Sequence, residues 1–405
     1  KLYFEDTSLL SLAEEFGTPC YVYSKAAITQ SFKEYTNAFG SRSHLICFAV
    51  KANSNIAILN LLSKLGSGFD IVSGGELQRV IAAGGDPKKV VFSGIGKTKE
   101  EIKFALSVGI YCFNVESYGE LDCIEDVCKQ LNKTANISLR VNPDVDAKTH
   151  PYISTGLKEN KFGIPWKDAI PMYKKAKESM HLKIHGIDCH IGSQMLDKLP
   201  FIDSVNRILR LSDDLQKIGI KIENFDFGGG LGISYENEIP PKPKDWVDSL
   251  IKAMGDKTNR ILLEPGRSIT GLAGIILTKV EYIKKGEDKN FLIVDAAMND
   301  LVRPALYQSY HQMKEVIKPE DSEGQIFEVV GPICETGDFL GKNRKLALKQ
   351  GDFLAIMGAG AYAMSMASNY NSRGRAPEIL IEGGTSTLIK KREKPEELFN
   401  DEIIP

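Results

Sequence analysis

The sequence predicts an α/β chain, a (β/α)₈ TIM-like barrel joined to a C-terminal, mostly antiparallel β domain. Three observations predict it. Eight short apolar runs (HLICFAV, GFDIVS, VVFSG, IYCFNVE, ISLRVNP, IHGIDCHIGS, FDFGGG and RILLEPGR) each close on or beside a turn-forming or charged residue. Their polar ends fall near residues 51, 73, 93, 115, 142, 190, 228 and 264, and the early spacing is that of repeated strand–helix units. Beyond residue 275 the texture changes to shorter runs separated by turn residues.

The helices are read between the runs. Stretches such as NIAILNLLSKLG and KEEIKFALSVG carry apolar residues at helical spacing and stop at Gly. The barrel is assigned to residues 30–275. The β-rich domain takes 276–405, with strands GIILTKVEYI, KNFLIVDAAM, QIFEVVGP, DFLAIM and EILIEGG, and also 1–29, whose CYVYS reads as a strand.

Composition narrows the function. At 405 residues with 42% hydrophobic and 26% charged residues, the chain is globular rather than disordered. Lys and Arg total 51 against 53 Asp and Glu, a net charge of -2 with no basic block, so a small-molecule partner is expected rather than nucleic acid or a membrane surface. Seven cysteines, an odd number without zinc-site spacing, read as reduced thiols in a cytoplasmic protein. The N-terminal run KLYFEDTSLLSLAEEF mixes acids into its apolar positions and does not read as a signal peptide, and GIILTKV is too short to span a membrane.

Polar residues at the C-terminal ends of barrel strands carry the chemistry, because active sites of such barrels are built there. Lys51, Arg140, His190, Gly228 to Gly230 and Glu264 all fall at such ends. In FDFGGGLGISY, three glycines directly after a strand let backbone N–H groups approach a phosphate without a Cβ in the way. The next strand adds LLEPGR, a glycine and an arginine at the neighbouring position, where barrels commonly bind phosphate. A phosphate-bearing aldehyde fits this set: Lys51 forms a Schiff base with the carbonyl, Glu264 holds a pyridine nitrogen protonated, and His190 lies against the ring. That ligand is pyridoxal 5'-phosphate.

Two other signals point nowhere. SGIGKT at 93–98 resembles the end of a nucleotide-binding loop, but the glycine required at position 91 is Val91. His181, His185 and His190 suggest metal ligands, yet His185 and His190 are five apart, on opposite faces of a strand, so no metal is expected.

The motifs LAEEFGTPCYVYS, FAVKAN, GFDIVSGGEL, LRVNPD, HPYISTGLKENKFGI, CHIGSQ, DFGGGLG, LEPGR, RPALY, GPICETGD and GAGAY, in order and almost end to end, resemble the fold-type III pyridoxal phosphate decarboxylases, relatives of alanine racemase and ornithine decarboxylase. The resemblance implies an alanine racemase-like fold. It also implies that Lys51 is the Schiff-base lysine, His190 the stacking histidine, and Ser193, Gly229, Gly230 and Arg267 the phosphate surroundings. Glu264 is then the ring-nitrogen partner, and Asp70, Arg140, Gly266 and Tyr362 complete the cofactor set. Cys334 and Glu335 match a pair delivered from the other subunit of a homodimer.

Within that family the chain is similar to the members that convert meso-2,6-diaminopimelate to L-lysine and CO2, the last step of lysine biosynthesis. Arg303 and Tyr307 in RPALY are four apart and share a helical face, suited with Arg267 to a distal carboxylate; Glu335 suits the distal ammonium, and Tyr362 lines the same substrate. Either Cys334 or Lys51 returns the proton to Cα. Ornithine, arginine or carboxynorspermidine decarboxylases are the nearest rivals. A racemase is disfavoured because that branch pairs the ring nitrogen with arginine, and LEPGR offers Glu264. The segment 148–163 is expected to be a lid or part of the specificity wall.

Overall fold

The computed structural model describes residues 1–146, 161–318 and 323–405. The expected lid or wall therefore lies outside the described residues up to position 160. The chain divides into two compact units: residues 31–233 with 239–268, and residues 1–30 with 234–238 and 269–405.

The first unit is a closed barrel of eight parallel strands. These are β1 (His44–Ala49), β2 (Gly68–Ile71), β3 (Val90–Phe92), β4 (Cys112–Val115), β5 (Ala135–Asn142), β6 (Leu182–Asp188), β7 (Asn224–Asp226) and β8 (Arg260–Leu263). Each strand pairs with the next, and β8 closes on β1 through Ile261 opposite His44. All eight predicted runs are barrel strands. They were readable because strands covered on both faces become near-continuous apolar runs.

The helices begin where the sequence supplies caps. Asn55, Ser73, Thr98 and Ser117 each accept a backbone N–H with their side chains at the starts of Ile56–Lys64, Gly74–Ala82, Lys99–Val108 and Tyr118–Leu131. Thr98 and Glu101 form a reciprocal capping box, and that helix stops at Gly109 in the left-handed conformation, φ 72°. Inside the barrel, Leu45, Cys47, Val91, Cys112 and Leu262 make an apolar layer. Toward the C-terminal strand ends the buried residues turn polar: Asp70, Asn114, Arg140, Asp188, Asp226 and Glu264.

The second unit is a mostly antiparallel sheet. Its strand order is Phe339–Leu346, Gln325–Val330, Asn290–Val294, Gly274–Lys285, Cys20–Ser24, Glu378–Glu382, Thr385–Lys390, with Phe353–Ile356 added beside Gly274–Lys285 and Met313–Glu315 beside Phe353–Ile356. CYVYS is the strand Cys20–Ser24, fully buried between two neighbours. Leu9, Leu12, Val22, Ile275, Leu277, Ala355, Ile379 and Ile381 form the core beneath it. No helix among the described residues is long and apolar enough to cross a membrane. All seven cysteines are unpaired, and all but Cys123 and Cys334 are buried.

Candidate active site

Lys51 stands in the short turn Val50–Ala52 that ends β1, and its Nζ lies 2.5 Å from Asp70 Oδ2 on the neighbouring strand β2. The carboxylate is fully enclosed, while the lysine side chain is 38% exposed. Among the described residues Asp70 Oδ1 has no hydrogen-bond partner.

The glycine turn after β7 is built by close approach. A Cβ on Gly229 would lie 2.2 Å from the Glu264 carbonyl oxygen, and one on Gly228 would lie 2.4 Å from His190 Nδ1. Gly230, with φ 102°, adopts a conformation that L side chains rarely take. The turn is tied on both sides: Glu264 N–H donates to the Gly228 carbonyl at 2.8 Å, and Gly229 N–H donates to His190 Nδ1 at 3.2 Å. Nδ1 as an acceptor is a neutral imidazole, in keeping with its pKa: burial, reinforced by the charges of Arg140 and Lys51, holds His190 well below the ordinary histidine range. Arg267 is buried at the start of the helix Arg267–Thr270 and donates from Nη2 to Ser193 Oγ at 3.0 Å. Gly266 packs on the Lys51 turn, where a Cβ would meet Ala52 Cβ at 2.8 Å.

Beneath these groups lies an acidic layer of which the sequence reading picked out only Glu264. Asp188, Asp226 and Glu264 each bring one oxygen to within 4.8 Å of the others, all buried. Asn114 Nδ2 donates to Glu264 Oε1 at 3.4 Å and Gly228 N–H to Asp226 Oδ1 at 3.0 Å. Three carboxylates in one dry space do not all ionise, and sharing protons is the cheapest relief. Burial, then the Asp226 charge, pushes Asp188 and Glu264 well above the carboxylate range, and burial lifts Asp226 to about 6. Arg140 offsets part of the charge: Nη1 donates to Glu116 Oε1 at 2.9 Å and Nε lies 4.0 Å from Asp188 Oδ2. Burial disfavours its charge, but Glu116, Asp188 and Glu264 outweigh that and raise its pKa.

The lysine of SGIGKT has a structural use. The Lys97 side chain is enclosed and donates to the Gly94 and Asn114 carbonyls at 2.6 and 2.8 Å and to Glu120 Oε1 at 2.7 Å.

The remaining candidates belong to the second unit. Arg303 and Tyr307 share the helix Arg303–Tyr307, with the Arg303 guanidinium 5.7 Å from the Tyr307 ring centre and 5.0 Å from that of Tyr235. Cys334 is exposed on a turn held by two side chains: its N–H donates to Asn371 Oδ1 at 3.0 Å, and the preceding Ile333 N–H donates to Asp338 Oδ2 at 2.9 Å. Glu335 follows on the same turn, its N–H donating to the Ile333 carbonyl at 2.8 Å. Tyr362 adopts φ 55°, a left-handed conformation uncommon for an aromatic residue.

A (β/α)₈ barrel with an amine, a glycine turn and buried carboxyls at its strand ends defines a class, the pyridoxal-dependent decarboxylases. The family model described as pyridoxal-dependent decarboxylase, pyridoxal binding domain, matches residues 25–271. The chain is 54% identical to the diaminopimelate decarboxylase of Neisseria meningitidis over 402 residues, 99% of each chain. It is 53% identical to that of Haemophilus influenzae over 400 residues, 98% of this chain and 96% of the other. The structure of the Helicobacter pylori diaminopimelate decarboxylase complexed with L-lysine matches with a TM-score of 0.94 at 45% identity, covering 97% of this chain and 98% of that one. That of the M. jannaschii enzyme in co-complex with L-lysine matches with a TM-score of 0.93 at 41% identity, covering 98% and 94%. The chain belongs to the diaminopimelate decarboxylase family.

Proposed function

We propose that the protein binds pyridoxal 5'-phosphate and decarboxylates meso-2,6-diaminopimelate to L-lysine and CO2. The observation that carries this reading is the convergence at the barrel strand ends of Lys51, the Gly228–Gly230 turn, His190 and Glu264. The cofactor fits the residues present. The Gly228 and Gly229 N–H groups are committed to Asp226 and His190, so the turn offers its Gly230 N–H to a phosphate, and Arg267 with Ser193 adds a cation and a hydroxyl for it. His190, neutral, offers a flat ring face, and Glu264 offers a carboxyl whose proton a ring nitrogen can share.

When bound, pyridoxal phosphate supplies the electron sink that loss of CO2 from an α-carbon requires. The chain's own groups do the rest. Lys51 Nζ is the amine that would hold the cofactor's aldehyde carbon, and Asp70 would steady that amine as an ammonium when it is free. Gly266 lets the β8 loop close on the Lys51 turn, Arg140 belongs to the cofactor surroundings, and Tyr362 lines the cofactor and substrate. Arg303 and Tyr307, with Arg267, take the distal carboxylate, and Glu335 takes the distal ammonium. Cys334 Sγ or Lys51 Nζ returns the proton to Cα. The chain works as a homodimer in which Cys334 and Glu335 serve the partner's site; a rigidly held turn that leaves its thiol exposed supports this. Seven unpaired thiols support a reducing compartment, the cytoplasm.

The test is CO2 release from meso-diaminopimelate, ornithine, arginine and lysine presented to the purified protein with pyridoxal phosphate. Diaminopimelate alone is expected to react, with one lysine formed per CO2. Turnover of ornithine with none of diaminopimelate overturns the substrate assignment.

A further inference from the structure

Four ionisable side chains, Lys97, Glu120, Glu116 and Arg140, lie buried together at the C-terminal ends of β3, β4 and β5, and their charges sum to zero. Lys97 and Glu120 pair at 2.7 Å with side chains 1% and 6% exposed. Glu116 and Arg140 pair at 2.9 Å with side chains 1% and 9% exposed. Glu116 N–H donates to Glu120 Oε2 at 3.2 Å, linking the two pairs.

Glu116 differs from the other three in what it joins. Its Oε1 accepts from Arg140 Nη1 at 2.9 Å and from Gly94 N–H at 3.0 Å, and its Oε2 accepts from Gly163 N–H at 2.9 Å. One carboxylate thus holds a β5 side chain, the loop after β3, and residue 163 beyond β5. Gly163 has φ 74°, and a Cβ there would meet the Arg140 carbonyl and Asn142 N, each at 3.2 Å. The Arg140 guanidinium also stacks 4.9 Å from the Phe162 ring. Its Nε faces the acidic layer at 4.0 Å from Asp188 Oδ2, and Asp188 Oδ1 has no hydrogen-bond partner among the described residues.

We propose that Glu116 is a positioning residue for the barrel site: it holds the Arg140 guanidinium back from the Asp188–Asp226–Glu264 layer, leaving the Glu264 carboxyl available to a cationic ring nitrogen. The physical reason is competition. A buried guanidinium without Glu116 moves to the nearest carboxylate that lacks a donor, and Asp188 is 4.0 Å away. Arg140 and a protonated ring nitrogen then draw on the same negative charge. This inference rests on the reading of the barrel end as a pyridoxal phosphate site.

The experiment measures pyridoxal phosphate affinity of the apoprotein by quenching of intrinsic fluorescence, beside amide hydrogen exchange at Gly94 and Gly163. Glu116→Gln keeps the shape and removes the charge. It is expected to bind the cofactor at least tenfold more weakly and to lose protection at both amides. The double variant Lys97→Met/Glu120→Gln removes the neighbouring pair but leaves Glu116 and Arg140, and is expected to bind within twofold of wild type. Equal loss in both proteins reduces Glu116 to a purely structural role and overturns the proposal, as does wild-type affinity in Glu116→Gln. If Glu116→Gln does not fold, Glu116→Asp, charged but too short to reach all three donors, is measured in its place; unchanged affinity there overturns the proposal equally. A wild-type apoprotein that binds no pyridoxal phosphate defeats the cofactor reading itself, a result distinguishable from all of these.

Discussion

Lys51 Nζ, in the turn that ends β1, and Asp70 Oδ2, on β2, are 2.5 Å apart, the lysine side chain partly exposed and the carboxylate sealed from solvent. The asymmetry makes the amine replaceable as a partner only at a cost to the carboxylate. In Lys51→Ala the buried Asp70 loses its countercharge, and the apoprotein is expected to lose roughly 1–3 kcal/mol at neutral pH. Asp70→Asn in the same background should restore most of that. Urea unfolding checks it; a double variant no more stable than Lys51→Ala shows that the pair does not hold Asp70.

Gly229 tests the glycine turn. An alanine Cβ would collide with the Glu264 backbone, which cannot swing aside as a side chain does. Gly229→Ala is expected to cost about 1–3 kcal/mol of stability and to weaken pyridoxal phosphate binding by an order of magnitude or more. Thermal unfolding with and without the cofactor measures both, and an alanine variant indistinguishable from wild type removes the turn from the site.

The acidic layer makes stability depend on pH. Asp226 is raised from 3.8 to about 6, so between those values the folded protein holds more protons than the unfolded chain. The group's contribution is whole below pH 3.8 and is lost as pH rises through about 6. Compared with Asp226→Asn, the wild-type apoprotein should therefore lose stability between pH 4.5 and 7, by an amount on the order of 3 kcal/mol at most. Melting temperatures of both proteins across that range check the sign; a wild type that gains on the variant as pH rises contradicts it.

Arg303 is assigned to the distal carboxylate of the substrate. Arg303→Ala is expected to raise KM for diaminopimelate roughly 10- to 100-fold, the value of a lost charge-assisted hydrogen bond, with a smaller change in kcat. Steady-state kinetics of CO2 release decide this, and an unchanged KM takes Arg303 out of the substrate site.

The barrel was legible because its chemistry obeys its period. Strands buried on both faces are apolar runs, so Lys51, Arg140, His190 and Glu264 at their polar ends stood out. Asp188, Asp226, Asn114 and Glu116 were passed over, since each reads as an ordinary polar interruption inside IHGIDCH, FDFGGG or CFNVE. Their signal was available: an acid within a strand that must be buried needs a partner, and three such acids from three strand ends meet at the barrel axis. The strand Phe339–Leu346 was missed because FLGKNRKL shows no alternation, its partly exposed face being carried by charged residues. Residues 234–238 leave the barrel's stretch of sequence for the other unit, and no local pattern marks that excursion.

The central claim is that Lys51 holds the cofactor. Borohydride reduction of the protein incubated with pyridoxal phosphate, followed by peptide mapping by mass spectrometry, should place one phosphopyridoxyl group on Lys51 and none in Lys51→Ala. A group on another lysine, or none on the wild-type protein, contradicts the account.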